Sequence, residues 1–296
     1  MNLKNPLTFE EQIEKLESHG MQILDKEKAK KLLTEINYYR FTGCALQYRK
    51  NPDESGYKDG VTFDTVYNIY LFDEQIRNIL RKYIERAEVY YRTIISYHFS
   101  MAKCIEPPYD QHYNENNFFN KKGYNEVMES FKKEKSYYRD SLIVKHHKQK
   151  YNNKMPMWVI VELMSLSNIS KLYNSMYTSE KTTIATSAGT GVEKLENHLH
   201  CLSVLRNKCA HAARLYNTEF NPPAKFSKSF FRKYPEIKNN TLYAYMLVLL
   251  KRLPDKQMKK ALVRDICKLI DTFKESIELS KIGFPENFEQ ILKKEI

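Results

Sequence analysis

Glycine is scarce in this sequence, with 8 residues in a chain of 296. Loops that bind nucleotide phosphates carry glycines at fixed intervals so that the backbone can approach the phosphate groups. The glycine-containing stretch SAGTGVEKL at 187–195 does not have the GxxxxGKS/T order of a P-loop. The sequence therefore gives no support for a P-loop ATPase or GTPase, and we expect no cofactor.

Cysteine is limited to five scattered residues, and no two of them form a CxxC pair. This usage is not typical of a disulfide framework or a zinc ribbon, and it suits a reducing compartment. Several potential metal ligands do cluster in the sequence, namely His198, His200, Cys201, Cys209 and His211. Residues two apart on a helix point about 160° away from each other. We therefore expect no metal site.

Long apolar runs are also missing. The N-terminal segment MNLKNPLTFEEQIEKL has no apolar core of signal-peptide length. The longest clean apolar run, YAYMLVLL at 243–250, is too short to cross a bilayer. We expect a cytoplasmic protein that does not reside in a membrane.

Lysine, glutamate, leucine and isoleucine are plentiful, and these residues favour helix over sheet. No alternating strand pattern or repeat stands out, so the sequence predicts an all-α protein. The formal net charge is +12 and the sequence pI is about 9.2. Such a charge predicts attraction to a polyanion, and charge alone does not choose between nucleic acid and an anionic membrane surface.

Helix signals divide the chain into one domain, 1–296, with three parts: an N-terminal helical region at 1–60, a core at 61–216, and a basic loop with closing helices at 217–296. Thr8 and Glu11 predict a capping box at the start of the first helix. Pro156 is placed to open a helix carrying Trp158, Glu162 and Ser167. The other predicted segments are a helix from Asp25 to about Tyr39, a loop at 48–60, a long amphipathic helix from Phe63 to about Ser100, an irregular connection at 105–125, and helices at about 191–216, 241–252 and 255–279.

The segment LRNKCAHAARLYN at 205–217 places an arginine inside an apolar helix face. On an ideal helix Leu199, Leu202 and Cys209 share one side, and Arg206 projects from the middle of it. His211 lies about 140° away from Arg206, on a polar stripe. The two could meet at one phosphate if the arginine reaches around the helix, if the helix distorts, or if a second copy supplies one half.

Simpler explanations exist for both residues. Arg206 could extend its charge to solvent or pair with a buried acid such as Glu162, because an unpaired buried charge is costly. His211 could be an ordinary solvated histidine.

The same segment resembles the RxxxxH motif of the HEPN superfamily, and in particular the LRN.CAH..RLWN signature of the bacterial abortive-infection (Abi) family. Segments resembling the family also occur in order at 36–44, 70–99 and 156–173, so the likeness extends over roughly residues 7–280. The sequence departs from the family pattern at Ala212, often a second histidine, and at Tyr216, often tryptophan. The resemblance implies a HEPN-like helical bundle with additional N-terminal and C-terminal helices.

The resemblance also implies an activity, which is metal-independent RNA cleavage by attack of the 2′-OH in defence against phage. His211 would be the general acid and base, Arg206 would clamp the phosphate, and Asn207 would support the pair. Relatives commonly pair two such helices, and the second helix would come from the other copy of a homodimer or from an internal segment. Some relatives are encoded beside a small noncoding RNA that would inhibit the protein. The competing hypotheses are a non-catalytic RNA-binding or toxin subunit and a phage-protein sensor.

Basic stretches at 121–154 and 225–238 interleave lysine with tyrosine and phenylalanine, a pattern that suits single-stranded RNA and equally suits solvated loops. Candidate RNA contacts are Arg40, Lys145, Lys148, Lys208, Arg214, Arg232 and Lys233. Arg92 and His98 form a looser second motif, although helical positions favour a surface arginine paired with Glu88 and a core histidine. Glu162 is a candidate for the lining of the cleft.

Overall fold

A computed structural model describes residues 5–51 and 56–296. Within these ranges the chain forms fourteen α-helices, several short 3-10 turns and two isolated β-bridges, but no strand. The prediction of an all-α fold is confirmed. The helices are α1 Phe9–Ser18, α2 Lys26–Glu35, α3 Tyr38–Cys44, α4 Phe63–Lys103, α5 Lys121–Tyr137, α6 Leu142–Lys150, α7 Met157–Ile160, α8 Leu166–Ser175, α9 Thr178–Ser187, α10 Val192–Ala210, α11 Lys228–Lys233, α12 Leu242–Arg252, α13 Lys256–Phe273 and α14 Phe288–Lys294.

Helix α4 is the longest helix in the described part of the chain. Its 41 residues correspond to a length of about 60 Å at 1.5 Å per residue. Thr62 caps its first turn, and buried apolar residues recur at three-to-four spacing along it, as at Ile69, Phe72 and Ile76. Helices α3, α7, α8, α9, α10, α12 and α13 all pack against α4. The predicted helix from Phe63 to about Ser100 is therefore confirmed.

Helix α12 accounts for the longest apolar run. Every residue from Tyr243 to Leu250 is buried, so this helix is surrounded by protein. It packs against α4, α10 and α13. In the part of the chain that the structure describes, no helix has both the length and the apolar character needed to cross a membrane.

The N-terminal helices follow the predicted signals with one correction. The capping box of Thr8 and Glu11 is present. The helix predicted to continue to about Tyr39 ends at Glu35, because Ile36 has an extended backbone and is buried. Asn37 then starts α3 by accepting a hydrogen bond from the Tyr39 N–H at 2.9 Å. The predicted loop at 48–60 includes residues 52–55, which lie outside the described residues.

Two later segments also differ from the prediction. The helix opened by Pro156 ends at Ile160, and α8 starts only after Ser165, so Glu162 and Ser167 do not share a helix with Trp158. The closing helix predicted at 255–279 ends at Phe273, and α14 was not predicted. The three-part division of the chain stays a prediction.

Candidate functional site

The helix that carries the motif ends earlier than the sequence predicts. It was predicted to reach Tyr216, but α10 ends at Ala210 and His211 is its C-cap. The Ala212 and Ala213 N–H groups donate back to the carbonyls of Cys209 and Lys208 at 3.3 and 2.8 Å, which is the Schellman pattern of helix termination. Ala212 has a left-handed backbone with φ of +50°. The predicted polar stripe therefore stops at His211, and Arg214 lies beyond the helix.

Helix α4 holds the segment that follows His211. The Asp73 carboxylate accepts hydrogen bonds from the Leu215 and Tyr216 N–H groups at 2.8 and 2.7 Å. Arg77 donates to Asp73 and, at 3.3 Å, to the Ala213 carbonyl. Both side chains are buried. Burial raises the pKa of Asp73, and Arg77 and the two N–H groups oppose that effect.

A carboxylate on α4 explains the position of Arg206. The Arg206 Nε lies 3.7 Å from Glu88 Oε2, and the Glu88 side chain is only 9% exposed. Glu88 Oε1 also accepts a hydrogen bond from Arg92 at 2.6 Å. One buried carboxylate therefore faces two guanidinium groups, while 37% of the Arg206 side chain stays exposed.

Two sequence expectations about this region need correction. The acid that faces Arg206 is Glu88, whereas Glu162 is exposed on a short 3-10 turn after α7. Arg92 does pair with Glu88 as predicted, but it is not a surface residue. Its side chain is 18% exposed and donates twice to the Met164 carbonyl, at 3.1 and 2.6 Å.

His98 is not part of this network. It is half-buried rather than fully in the core, and its ring contacts the Tyr97 ring edge-on with centroids 5.2 Å apart. Within residues 5–51 and 56–296, no hydrogen bond or ion pair joins His98 to Arg92 or to α10. The structure thus does not bring the two residues of the looser motif together.

Asn207 is the residue that contacts both halves of the RxxxxH motif. Its side-chain oxygen accepts a hydrogen bond from Arg206 NH1 at 3.4 Å, and its carbonyl accepts the His211 N–H at 3.0 Å. His211 is exposed at the end of the helix. No hydrogen bond joins Arg206 directly to His211 in the described part of the chain, so Asn207 is their link within one molecule.

An open cavity of about 560 Å³ lies where α3 meets the segment that follows His211. Arg40 on α3 donates to the Ala212 carbonyl, and Arg214 donates to the Gly43 carbonyl. Arg49 and Tyr39, which is 85% exposed, also line this cavity, which we call the arginine groove. Its described lining contains three guanidinium groups and no carboxylate, so its charge suits an anion.

The remaining candidate RNA contacts are spread over the surface. Lys208 lies over the Phe220 ring, with Nζ 5.3 Å from its centroid. The exposed Lys145 and Lys148 are on α6, and Arg232 and Lys233 are on α11. None of these five residues lines the arginine groove.

Sequence reasoning missed the Asp73–Arg77 pair, and a signal for it was available. Both residues lie on the face of α4 that also carries Ile69, Ile76 and Leu80, which are fully buried. A charged residue within an apolar stripe indicates a fixed partner.

Fold and site together define a helical protein with an arginine-rich surface at the C-terminal end of α10. Residues 31–217 match the family model described as Abi-like protein, which is more than half of the chain. The chain therefore belongs to the Abi-like family of bacterial abortive-infection proteins. The matched range includes α3, α4 and α10, which build the site. No curated protein and no solved structure matches the chain.

Proposed function

We propose that this protein is an abortive-infection endoribonuclease that cuts RNA without a metal ion. The observation that carries the proposal is the environment of Arg206, a partly exposed guanidinium that lies 3.7 Å from a buried carboxylate on α4 and donates a hydrogen bond to Asn207. A cation held in this way is preorganised for the charge that develops on a phosphate in the transition state. The family membership supports the role in defence.

The reaction requires two proton transfers and one anion clamp. His211 removes the proton from the ribose 2′-OH, whose oxygen forms a new bond to the adjacent phosphorus. The bond to the 5′ oxygen of the next nucleotide breaks, and that oxygen receives a proton from the protonated His211 ring, which returns the histidine to its starting state. The products are a 2′,3′-cyclic phosphate and a 5′-hydroxyl. Histidine suits both transfers because its ordinary pKa is near neutrality, and an exposed ring is accessible to substrate.

Arg206 supplies the clamp on the phosphorane oxygens. Glu88 lowers the local charge, but Arg92 shares that carboxylate, so the three side chains together carry one net positive charge. The exposed part of Arg206 is available to a phosphate. This arrangement explains why the arginine occupies a position where an amphipathic helix would otherwise carry leucine.

We further propose that the active form is a homodimer. In the described part of one chain no hydrogen bond joins Arg206 to His211, so a second copy would supply the histidine that faces each arginine. Helix α4 carries a stripe of exposed residues at four-residue spacing, Val89, Thr93, Tyr97 and Met101, beginning next to Glu88. The stripe is a candidate contact between copies. A Val89→Asp, Met101→Asp double variant should sediment as a monomer and lose cleavage.

The arginine groove is the proposed path for the RNA strand next to the cleavage site. Arg40, Arg49 and Arg214 would neutralise backbone phosphates, and the exposed Tyr39 ring would stack on a base. An inhibitory noncoding RNA would act by occupying the same groove. Binding there should weaken steeply as salt increases, because each neutralised phosphate releases counterions.

A non-catalytic RNA-binding role is the second candidate. It is favoured by the absence of a direct Arg206–His211 contact within the described chain. Under this alternative the pair anchors RNA or the dimer, and RNA affinity and toxicity fall together in the variants. A sensor of phage protein would need neither residue.

The test is an RNA cleavage assay in EDTA with protein freed of bound RNA, with the product ends mapped. We expect cyclic-phosphate ends from the wild type and at least about a hundredfold loss in His211→Ala and in Arg206→Ala, with RNA binding retained by His211→Ala. His200→Ala is the matched control, because His200 is an exposed histidine on the same helix. If the folded wild type binds several RNAs but cuts none of them, the nuclease proposal is wrong and the RNA-binding role is supported.

A further inference from the structure

A second basic pocket lies at the opposite end of the motif helix. It is a cavity of about 380 Å³ at the N-terminus of α10, formed where α10 meets α12 and the segment leading into α11. The 19 residues of α10 span about 28 Å. The pocket is therefore distinct from the arginine groove and from His211.

Two buried side chains in the lining have a nitrogen without a protein partner. Arg252 is 7% exposed and donates from NH1 to the Ala188 carbonyl at 3.3 Å, while its Nε has no partner. His198 is 2% exposed, and its Nε2 lies 2.8 Å from the Lys225 carbonyl while its Nδ1 has no partner. Buried polar atoms are nearly always paired, so a ligand that reaches these two nitrogens would complete their hydrogen bonds.

The chemistry of these two nitrogens is complementary. Burial lowers the pKa of His198 to about 3, and Arg252 and nearby lysines act in the same direction, so the ring is neutral. The Lys225 carbonyl can only accept, which places the ring proton on Nε2 and leaves Nδ1 as an acceptor. The lining thus offers a cationic donor from Arg252 beside a neutral acceptor from His198. An anionic group next to a hydrogen-bond donor would satisfy both.

The rest of the lining is strongly basic. It includes Lys194, Lys225, Lys233 and Lys251 together with one carboxylate, Glu295. Glu295 pairs with Lys233 at 3.4 Å and with Lys251, and Glu193 outside the lining pairs with Lys225 at 2.5 Å. With Arg252 counted, five cations line the pocket against one anion.

The backbone at this end of α10 adds to the attraction. Gly191 caps the helix without a side chain, so no side chain occupies the first N–H groups of α10. The positive end of the helix dipole therefore adjoins the basic lining. A Cβ built at Gly189 or Gly191 would meet nothing within 4 Å, so the approach to the helix terminus is open.

We propose that this pocket binds the phosphate monoester of a nucleotide, either free or at the 5′ end of an RNA strand. Arg252 and the helix N-terminus hold the phosphate, and His198 Nδ1 accepts a hydrogen bond from a ribose hydroxyl or from an amino group of the base. Phe226 is half-buried in the lining, with its ring centroid 5.9 Å from that of His198, and offers a face for the base. A volume of about 380 Å³ suits one nucleotide.

The test is a calorimetric titration of full-length, RNA-free protein with AMP, adenosine, inorganic phosphate, and 2′-O-methyl oligonucleotides with a 5′-phosphate or a 5′-hydroxyl. We expect AMP or the 5′-phosphorylated oligonucleotide to bind at least about tenfold more tightly than its counterpart without phosphate. AMP binding identifies a free nucleotide, and binding of the phosphorylated oligonucleotide alone identifies an RNA end. Binding of inorganic phosphate as tight as that of AMP would overturn the assignment of a nucleotide.

Two variants connect the binding to this pocket. A Lys194→Ala, Lys225→Ala double variant should weaken the phosphate-dependent binding at least about tenfold, since it removes two cations from the lining. Lys228→Ala is the matched control, because Lys228 is an exposed lysine of the same segment outside the lining. Arg252→Gln tests the buried guanidinium, and the double variant keeps the test decisive if Arg252→Gln fails to fold. Equal affinity of the wild type and the double variant would overturn the proposal.

The titration is independent of the proposed nuclease activity. The 2′-O-methyl group removes the attacking hydroxyl, so no bond is cut during the measurement. A protein that cleaves RNA and does not bind these probes would disprove the pocket alone. A protein that binds AMP and cuts no RNA would leave the pocket intact and remove the nuclease.

Discussion

Helix α4 carries two buried acid–arginine pairs of the same local design, and they serve the molecule differently. Asp73 with Arg77 and Glu88 with Arg92 are both i, i+4 pairs, separated by about four helical turns. The polar contacts of the first pair go to the backbone that follows the motif. The carboxylate of the second pair faces Arg206, a side chain that stays partly exposed. The comparison teaches that the contacts of a buried ion pair decide its role. A pair that binds backbone groups is a structural clamp, and a pair that faces a partly exposed side chain can be part of a site.

The largest expected effect concerns the Asp73–Arg77 pair, which we call the closed pair because both of its side chains are buried. Asp73→Asn keeps a side-chain oxygen for the Leu215 and Tyr216 N–H groups but leaves the buried Arg77 without its counter-charge. We expect the free energy of unfolding to fall by about 3 to 5 kcal/mol. Urea denaturation measures this change.

Glu88→Gln is the matched variant, because it makes the same chemical change in the pair that faces Arg206. Arg92 would keep its two hydrogen bonds to Met164 and Arg206 would keep its contact with water, so a smaller loss of about 1 to 3 kcal/mol is expected. Equal losses in the two variants would show that both pairs are structural clamps and remove the contrast.

The sequence predicted those features of the fold that depend on local signals. The Thr8 capping box and the start of α4 at Phe63 follow from side-chain capping and helical periodicity. The end of α10 could not be predicted in this way, because Ala212 adopts the left-handed backbone without the glycine that usually marks it. Contacts from Arg40 to Ala212 and from Arg77 to Ala213 hold that turn, and they come from distant parts of the chain.

The candidate site also has one part that the local sequence predicts and another part that depends on distant contacts. The helical pattern identified Arg206 as a charge on an apolar face, which depends on the sequence of α10 alone. Its partner depends on how α10 is aligned along α4, and this alignment placed Glu88 there instead of Glu162. The arginine groove combines α3 with the segment after α10, so neither stretch alone indicates it.

An intermediate effect is expected at Ala212, where the contacts of the closed pair hold a strained backbone conformation. The Asp73–Arg77 contacts hold the turn in which Ala212 has a φ of +50°, a conformation that costs an alanine about 1 to 2 kcal/mol and a glycine far less. Ala212→Gly should therefore raise the free energy of unfolding by about 1 kcal/mol, as measured by urea denaturation. Ala210→Gly, in the last turn of α10, is the control and should lower stability, since glycine disfavours helix. A loss of stability in Ala212→Gly would mean that the turn is not strained.

The smallest effect is expected between Glu88 and Arg206, and it sharpens the comparison most. Their closest charged atoms are 3.7 Å apart and Arg206 is partly exposed, so solvent screens the attraction. A double-mutant cycle with Glu88→Gln and Arg206→Gln should give a coupling in stability of about 0.5 to 1 kcal/mol. The corresponding cycle for Asp73 and Arg77 should give a larger value, because both partners are buried. An arginine that is weakly coupled to Glu88 remains able to bind a phosphate. A coupling as strong as that of the closed pair would therefore argue that Arg206 stabilises the fold and does not bind the substrate.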